Sequence, residues 1–288
     1  MSAEAERPFD VAAALAAARA AGVARLDAQL LLSHILGRPR SWLLAHDDER
    51  LAPGQAAVWA ALLARRAAGE PLAYVIGELD FRGLRLHVTH DVLVPRPETE
   101  VLVEWAIERL VDAPAQSLVD LGTGSGVIAL ALQKAYPLAS VSASDRSGAA
   151  LALARLNATR HGLSVVFEQG DWWAPFTGQR FGLAVSNPPY VAADDPHLRE
   201  LRHEPLEALT PGGNGLAALA SIIRGAPRHL LCGGWLLLEH GHDQGEAVRR
   251  LLLEAGFGPP STRADLAGQA RCSGASWQRA KGATRHSS

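Results

Sequence analysis

Asn187-Pro188-Pro189-Tyr190 is the stretch of this chain whose residue types are best suited to chemistry. It follows Phe181 to Ser186, a short apolar run of the kind that forms a buried strand. Two consecutive prolines remove two ladder donors and hold the backbone extended, so the strand must stop and the chain must leave the sheet. In an α/β sheet, a loop at the carboxyl end of a strand faces the crevice where ligands bind. Proline leaves the neighbouring carbonyls without local N–H partners, so the Asn187 side-chain oxygen and the Pro188 main-chain oxygen can both point outward. Two acceptors side by side suit a planar NH2 group, and Tyr190 adds a flat face on which a planar amide or base can stack. Taken alone, the tetrapeptide reads as readily as a proline-terminated turn with a buried tyrosine.

A second constellation lies upstream. Leu118-Val119-Asp120-Leu121-Gly122-Thr123-Gly124-Ser125-Gly126 reads as a strand, a glycine-rich turn and the start of a helix, a place where a ligand can approach the backbone closely. A dinucleotide fingerprint needs its third glycine where Val127 stands; the spacing here is G-x-G-x-G. Asp120 precedes the loop, where a negative charge opposes a pyrophosphate but suits the α-ammonium of a methionine moiety. Both features favour S-adenosylmethionine over a nicotinamide dinucleotide. Asp145, 23 residues after Gly122, ends the next strand and can accept the hydroxyls of an adenosine ribose. Asp171-Trp172 follows a third strand, where a carboxylate can meet the adenine amine and an indole can pack on the ring. Each piece has a plain reading, a tight connection or a helix cap. Four of them at successive strand ends point to methyl transfer.

The elements that must position these residues follow from periodicity. From Ser117 the rhythm is strand, helix, strand, helix. Strands are expected at Ser117 to Asp120, Val141 to Ser144, Val165 to Gln169, Leu183 to Ser186 and Trp235 to Glu239. Helices are expected at Val127 to Ala135, Ala149 to His161, Leu216 to Arg224 and Gly245 to Ala255. Such alternation implies a parallel sheet covered on both faces, with Phe257 to Trp277 closing it as a hairpin. The first seventy or so residues predict three short amphipathic helices. Between Pro71 and Pro97 the texture is extended, including Leu72 to Gly77, and predicts a β-hairpin linker. Pro95-Arg96-Pro97-Glu98-Thr99-Glu100 then opens a helix whose inner face carries Leu102, Trp105, Ala106 and Leu110. The expected domains are residues 1–70 (helical recognition), 71–97 (linker), 98–280 (catalytic) and a loose tail, 281–288.

Composition bounds the function classes. With 288 residues, 48% hydrophobic and 20% charged, the chain suits a globular protein of two domains. No apolar run reaches membrane-spanning length and Met1 to Glu6 lacks a signal-peptide pattern, so a cytoplasmic location is expected. Cys232 and Cys272 have no metal-like spacing, and His240-Gly241-His242 lacks a third ligand nearby, so no metal is expected. A formal net charge of −2 gives no global attraction to nucleic acid.

Asp120-Leu-Gly-Thr-Gly-Ser-Gly126 together with Asn187-Pro-Pro-Tyr190 resembles the class I methyltransferases that act on exocyclic or amide NH2 groups. Pro95 to Glu100, the helical N-terminal region and the hairpin narrow the likeness to the peptide chain release factor N5-glutamine methyltransferases of the HemK/PrmC family. The resemblance implies an α/β fold: a class I, Rossmann-like methyltransferase sheet with a small N-terminal helical bundle and a β-hairpin linker. It implies methyl transfer from S-adenosylmethionine, leaving S-adenosylhomocysteine, to the glutamine side-chain amide of the Gly-Gly-Gln motif in class 1 release factors, by a monomeric enzyme. Carried over by position, Asn187, Pro188 and Tyr190 are the catalytic group. Asp120, Gly122, Thr123, Gly124, Ser125, Gly126, Asp145, Asp171, Trp172 and Asn187 hold the cofactor. Asn187, Pro188, Pro189, Tyr190, Arg96 and Glu98 meet the substrate. Three segments depart from the family pattern: Arg202-His203-Glu204-Pro205, Asn214-Gly215-Leu216, and Gln269-Ala270-Arg271, which lacks an acid before its arginine.

Two related readings share both loops: a ribosomal-protein glutamine methyltransferase, and an adenine-N6 methyltransferase in which a flipped base stacks on Tyr190. The acidic balance and the absence of a separate basic target-reading segment weigh against the second. A non-catalytic module keeping the fold is a third reading, and turnover excludes it.

Overall fold

The computed structural model describes residues 9–112 and 117–278. The expected tail from Lys281 and the Met1 to Glu6 start lie outside the described residues. The chain divides into two compact units, residues 1–78 and 79–288.

The first unit is helical: α1 (Val11–Ala20), α2 (Arg25–Leu36), α3 (Arg40–Leu43), α4 (Pro53–Ala67) and α5 (Leu72–Ile76). The Asp10 carboxylate accepts from Ala13 N–H at 2.8 Å and caps α1. Val11, Ala14, Leu31, Leu32 and Trp59 form its core, each at most 1% exposed. Asp27 lies within the first turn of α2 and accepts from Arg66 Nε at 2.7 Å.

The run Leu72 to Ile76, expected to be extended, is helix α5. A short apolar run is ambiguous by period alone, and here the flanking residues decide it. Pro71 starts the turn by accepting from Tyr74 N–H at 3.0 Å, and Gly77 ends it in the left-handed region at φ 82°. Arg65 donates to the Tyr74 carbonyl at 3.1 Å and to Glu70, satisfying an orphan carbonyl at the end of α5.

A hairpin of β1 (Glu78–Phe81) and β2 (Leu84–His87), shorter than the extended segment expected, begins at the last residue of the first unit and lies otherwise in the second. Then come α6 (Thr99–Asp112), β3 (Ser117–Leu121), α7 (Val127–Ala135), β4 (Ser140–Asp145), α8 (Gly148–His161), β5 (Val165–Gln169) and β6 (Phe181–Ser186). The short helix α9 (Leu206–Leu209), α10 (Ala217–His229), β7 (Leu230–Glu239), α11 (Gly245–Glu254), β8 (Ser261–Ala264) and β9 (Ala270–Ser276) complete it. The strands form one seven-stranded sheet in the order β5-β4-β3-β6-β7-β9-β8. Strands β3 to β7 pair in parallel, and β9 runs antiparallel to β7 and β8. The C-terminal hairpin thus closes the sheet, and α10 runs past the expected Arg224 through Pro227 to His229.

Both sheet faces are covered, as near-continuous apolar strands require. Leu102, Val103, Trp105 and Leu110 of α6 pack with Leu130 and Leu132 of α7 on one face. Leu219, Ile222 and Ile223 of α10 pack with Val248 and Leu252 of α11 on the other. The strand order reverses direction between β3 and β6, which opens the crevice at the carboxyl ends of β3, β4, β5 and β6. Asn157 of α8, fully buried, ties this end together. Its amide donates to the carbonyls of His87 (3.0 Å) and Ser125 (2.9 Å), and its oxygen accepts from His87 N–H (2.7 Å).

Candidate active site

The glycine-rich turn after β3 hangs from β4: the N–H groups of Gly122 and Thr123 both donate to the Ser144 carbonyl, at 2.8 and 3.0 Å. Gly122 has φ 73°, and a Cβ there would sit 3.0 Å from the Trp172 ring. Only glycine lets the indole close over the turn. Trp172 is itself in the left-handed region at φ 46°, a conformation that costs a non-glycine residue about 1–2 kcal/mol. Ser144 Oγ donates to its carbonyl at 2.8 Å and helps hold it there. Gly126 serves packing instead: its Cβ would meet Ala154 and Leu130 at 3.2 Å.

These residues wall a cavity of about 1020 Å³, open to solvent. Gly122, Thr123, Gly124, Ser125, Asp145, Asp171, Trp172 and Asn187 line it, so eight of the ten expected cofactor residues come together. Asp145 accepts from Gly124 N–H and Ser147 N–H, both at 2.9 Å, one on each oxygen. Burial raises its pKa, and the two N–H groups oppose that rise.

Asp120 and Gly126 are absent from this wall. Asp120 lies beneath the loop with no exposure; its Oδ2 accepts from the Thr123 hydroxyl (2.6 Å) and from Ala129 N–H (3.2 Å). Its Oδ1 has no hydrogen-bond partner among the described residues, and burial pushes its carboxyl up to about 7. The expectation of an aspartate facing a ligand ammonium thus meets a group that supports the loop from behind.

A second cavity, about 360 Å³, adjoins the first and is lined by Arg96, Pro188, Tyr190 and Leu201 among others. Leu93, Asn187, Pro189 and Ala208 line both cavities. The Asn-Pro-Pro turn is therefore the shared wall. Asn187 Nδ2 donates to Thr99 Oγ1 at 3.2 Å, leaving Oδ1 free to accept. The Tyr190 hydroxyl donates to Glu239 Oε1 at 3.3 Å. Burial, then the Glu239 charge, raises the Tyr190 pKa above its ordinary value, so the ring stays a neutral phenol. Behind the turn, Gln244 Nε2 donates to the Tyr190 carbonyl at 2.9 Å, while Gln244 Oε1 accepts from Gly241 N–H at 2.9 Å.

Arg96 lines the second cavity, whereas Glu98 lines neither. Sequence reasoning missed Glu204, which is 7% exposed. It forms an ion pair with Arg96 and accepts from Val94 N–H at 3.0 Å, pinning the segment before α6. Its signal lay in the departing segment Arg202-His203-Glu204-Pro205. At another departure, Arg271 takes Asp265 as its partner, Nη2 to Oδ2 at 3.0 Å.

Two adjoining cavities at the carboxyl edge of a seven-stranded α/β sheet, with the Asn-Pro-Pro turn as their shared wall, suit an enzyme that brings a small molecule up to a second group, and the sequence matches give the class as a methyltransferase. Residues 98–217 match the family described as the methyltransferase small domain, and residues 10–77 match the PrmC N-terminal domain. A release factor glutamine methyltransferase of Bordetella pertussis is 50% identical over 256 residues, 88% of this chain and 95% of that one. The Escherichia coli protein of the same description is 44% identical over 236 residues, 81% and 85% of the two chains. Among solved structures, the hMettl16 catalytic domain in complex with a 3'UTR hairpin aligns with a TM-score of 0.56 at 13% identity, covering 80% of this chain and 84% of that one. The T. Thermophilus 16S rRNA methyltransferase RsmC aligns with a TM-score of 0.53 at 19% identity, over 70% and 50% of the two chains. These last two share the fold. The chain belongs to the release factor glutamine methyltransferase family. Among the described residues no helix is long and apolar enough to cross a membrane.

Proposed function

We propose that this enzyme methylates the side-chain amide nitrogen of the Gly-Gly-Gln glutamine in class 1 release factors, working in the cytoplasm as a monomer with S-adenosylmethionine. The observation that carries the reading is that Asn187 and Pro189 line both cavities, so a group held on one side faces a group held on the other. The curated relatives named above add the acceptor's identity, since both are described as acting on release factor glutamine. The helical residues 1–70 would recognise the release factor, residues 71–97 would link, and residues 98–280 would carry the chemistry.

The residues of the larger cavity fit the cofactor. Gly122 leaves the space a Cβ would fill beneath the indole, Asp145 and Asp171 offer acceptors, and the buried Ser125 hydroxyl has no hydrogen-bond partner among the described residues. When bound, the cofactor supplies a methyl group activated by a sulfonium. On this reading Gly122 to Gly126, Asp145, Asp171 and Trp172 hold it, and Asp120 stiffens the loop from below.

In the smaller cavity, Asn187 Oδ1 and the Pro188 carbonyl would each accept one N–H of the glutamine NH2. Tyr190 would pack against the amide, and Arg96 would flank it. An amide nitrogen is a poor nucleophile because its lone pair is delocalised into the carbonyl. Two acceptors fix the NH2 plane, align the nitrogen for displacement and favour the positive charge that nitrogen gains. The amide proton becomes very acidic as that charge develops and can leave to water, so no general base is required of the protein.

The test is a labelled-methyl transfer assay with the purified chain, offering an unmodified class 1 release factor, ribosomal protein, and adenine-containing DNA and RNA in parallel. Label mapped to the Gly-Gly-Gln glutamine is the expected result. Label on nucleic acid or ribosomal protein with none on the release factor overturns the substrate assignment.

A further inference from the structure

A carboxamide can present either its oxygen or its NH2 group, and only one choice serves an acceptor that is itself an NH2 group. Something must therefore set which way Asn187 faces. Strands β6 and β7 run parallel with Ser186 opposite Leu238, so the next residues, Asn187 and Glu239, leave the sheet side by side. Thr99, the first residue of α6, is 1% exposed and stands with them. Asn187 Nδ2 donates to Thr99 Oγ1 at 3.2 Å, and the Tyr190 hydroxyl donates to Glu239 Oε1 at 3.3 Å. Glu239 is 1% exposed; its Oε2 accepts no hydrogen bond among the described residues, and the Thr99 hydroxyl stands near enough to favour its ionised form, so the Thr99 proton has this open oxygen to turn to.

We propose that Glu239 is a positioning residue that acts through Thr99 to lock the Asn187 carboxamide with its oxygen toward the acceptor. The inference rests on the reading of Asn187 as a ligand of the substrate amide. An ionised carboxylate only accepts hydrogen bonds, and a hydroxyl has one proton to give. With the Thr99 proton turned to Glu239, only lone pairs face Asn187. Asn187 must then turn its NH2 group inward and Oδ1 outward. Tyr190, bonded to the same carboxylate, is fixed by the same charge.

Protonation reverses the logic. A neutral Glu239 can donate to Thr99, which frees the Thr99 proton for Asn187 and admits the inverted carboxamide, whose NH2 group would meet the substrate's own. The charged groups around Glu239 are Arg271, which favours the carboxylate, and Glu98, which opposes it; the Thr99 and Tyr190 hydroxyls also favour the carboxylate. The Cys272 thiol, beside the same carboxylate, is held above its ordinary pKa and stays neutral. Burial outweighs them and brings Glu239 up to about 7. The locked, active form is the ionised one, so turnover rises with pH through about 7.

The experiment measures kcat and KM for release factor methylation across the neutral pH range with the full chain and the variants Glu239→Gln, Thr99→Val and Thr99→Ser. Cofactor affinity is followed in parallel by calorimetry. Glu239→Gln is expected to lower kcat about tenfold, the worth of one net hydrogen bond, with cofactor affinity unchanged and the acid limb of the kcat profile lost. Thr99→Val is expected to lower kcat similarly, and Thr99→Ser, which keeps the hydroxyl, to recover most of that loss. Wild-type turnover on glutamine, with Glu239→Gln within twofold of it and showing the same acid limb, overturns the relay. If Glu239→Gln no longer binds cofactor, the Thr99 pair decides: equal kcat for Val and Ser overturns the relay, and recovery in Ser supports it. A wild-type chain that places no methyl on glutamine refutes the substrate reading instead.

Discussion

Gly215→Ala tests whether the acceptor wall must be held rigidly to work. Gly215 lies in the loop between α9 and α10 with φ +79°, and a Cβ built there would fall 2.1 Å from the Tyr190 carbonyl oxygen and 2.8 Å from Gln244 Nε2. Those two atoms are hydrogen-bonded to each other at 2.9 Å, so the methyl would drive into the contact that backs the Asn-Pro-Pro-Tyr turn. Since real Cβ atoms essentially never approach closer than 3.0 Å, the Tyr190 carbonyl must retreat by about 1 Å. The left-handed backbone adds about 1–2 kcal/mol for alanine, and loss of the Gln244 bond about 1 kcal/mol more. A misplacement of about 1 Å in a group that aligns reactants costs on the order of 100-fold in rate. The expected result is kcat down about 100-fold with cofactor affinity within about threefold of wild type, because the glycine-rich cradle is untouched. Gly213→Ala is the control: its φ is +56°, yet nothing lies within 4 Å of its Cβ. It carries the backbone cost without the displacement. Methyl transfer under single-turnover conditions and calorimetry separate the two effects. If Gly215→Ala matches Gly213→Ala in kcat, the wall is not rate-limiting in its position and the reasoning fails.

Three further outcomes follow from the same geometry. Asn187→Ala removes one of two acceptors and should cut kcat by about 10²–10³, while calorimetry shows cofactor binding largely spared; near-normal turnover would contradict the two-acceptor arrangement. Glu204→Gln breaks the ion pair with half-buried Arg96 and should cost about 1–2 kcal/mol in urea unfolding, discounted from a fully buried pair because Arg96 is 32% exposed. It should also raise KM for the release factor; an unchanged KM would remove Arg96 from the acceptor side. Burial raises Asp120 from 3.8 to about 7, so between those values the folded protein holds a proton that the unfolded chain has released. Wild-type stability therefore falls as pH rises through that window, by up to about 4 kcal/mol above pH 7. Asp120→Asn has no such proton to lose, so its stability relative to wild type should climb from about pH 4 to about pH 7 and then level off. A pH-independent difference would show that Asp120 is not held protonated.

The sheet was legible because strand and helix periods alternate over most of the chain from Ser117 onward, although the parallel strands β5 and β6 follow one another without an α-helix between them. Val127 to Ala135 and Val165 to Gln169 match the observed bounds residue for residue. Leu72 to Ile76 was not legible from its own residues, since a five-residue apolar run suits either state and the Arg65 cap that favours the helix lies outside it. Glu204 and Gly215 escaped for a related reason: their partners, Val94 and Tyr190, are far away in the chain, and no local period records such a contact.

The acids at the strand ends show where sequence reasoning stops. Asp120, Asp145 and Glu239 each close or nearly close a parallel strand, and in the sequence they look alike. Their depth separates them. Asp145 reaches the cavity wall, with each oxygen already bonded to an N–H of the chain. Asp120 stops one residue before the end of its strand and lies beneath the loop. Side chains alternate faces along a strand, so that single step moves a carboxylate from the crevice to the interior. Glu239 sits at the last position of β7, but its neighbour β6 continues into the Asn-Pro-Pro turn, which covers it. A strand-end acid therefore binds ligand, braces a loop or orients a neighbour according to what the adjacent strand does next. That depends on the register between strands, which the sequence of one strand does not contain.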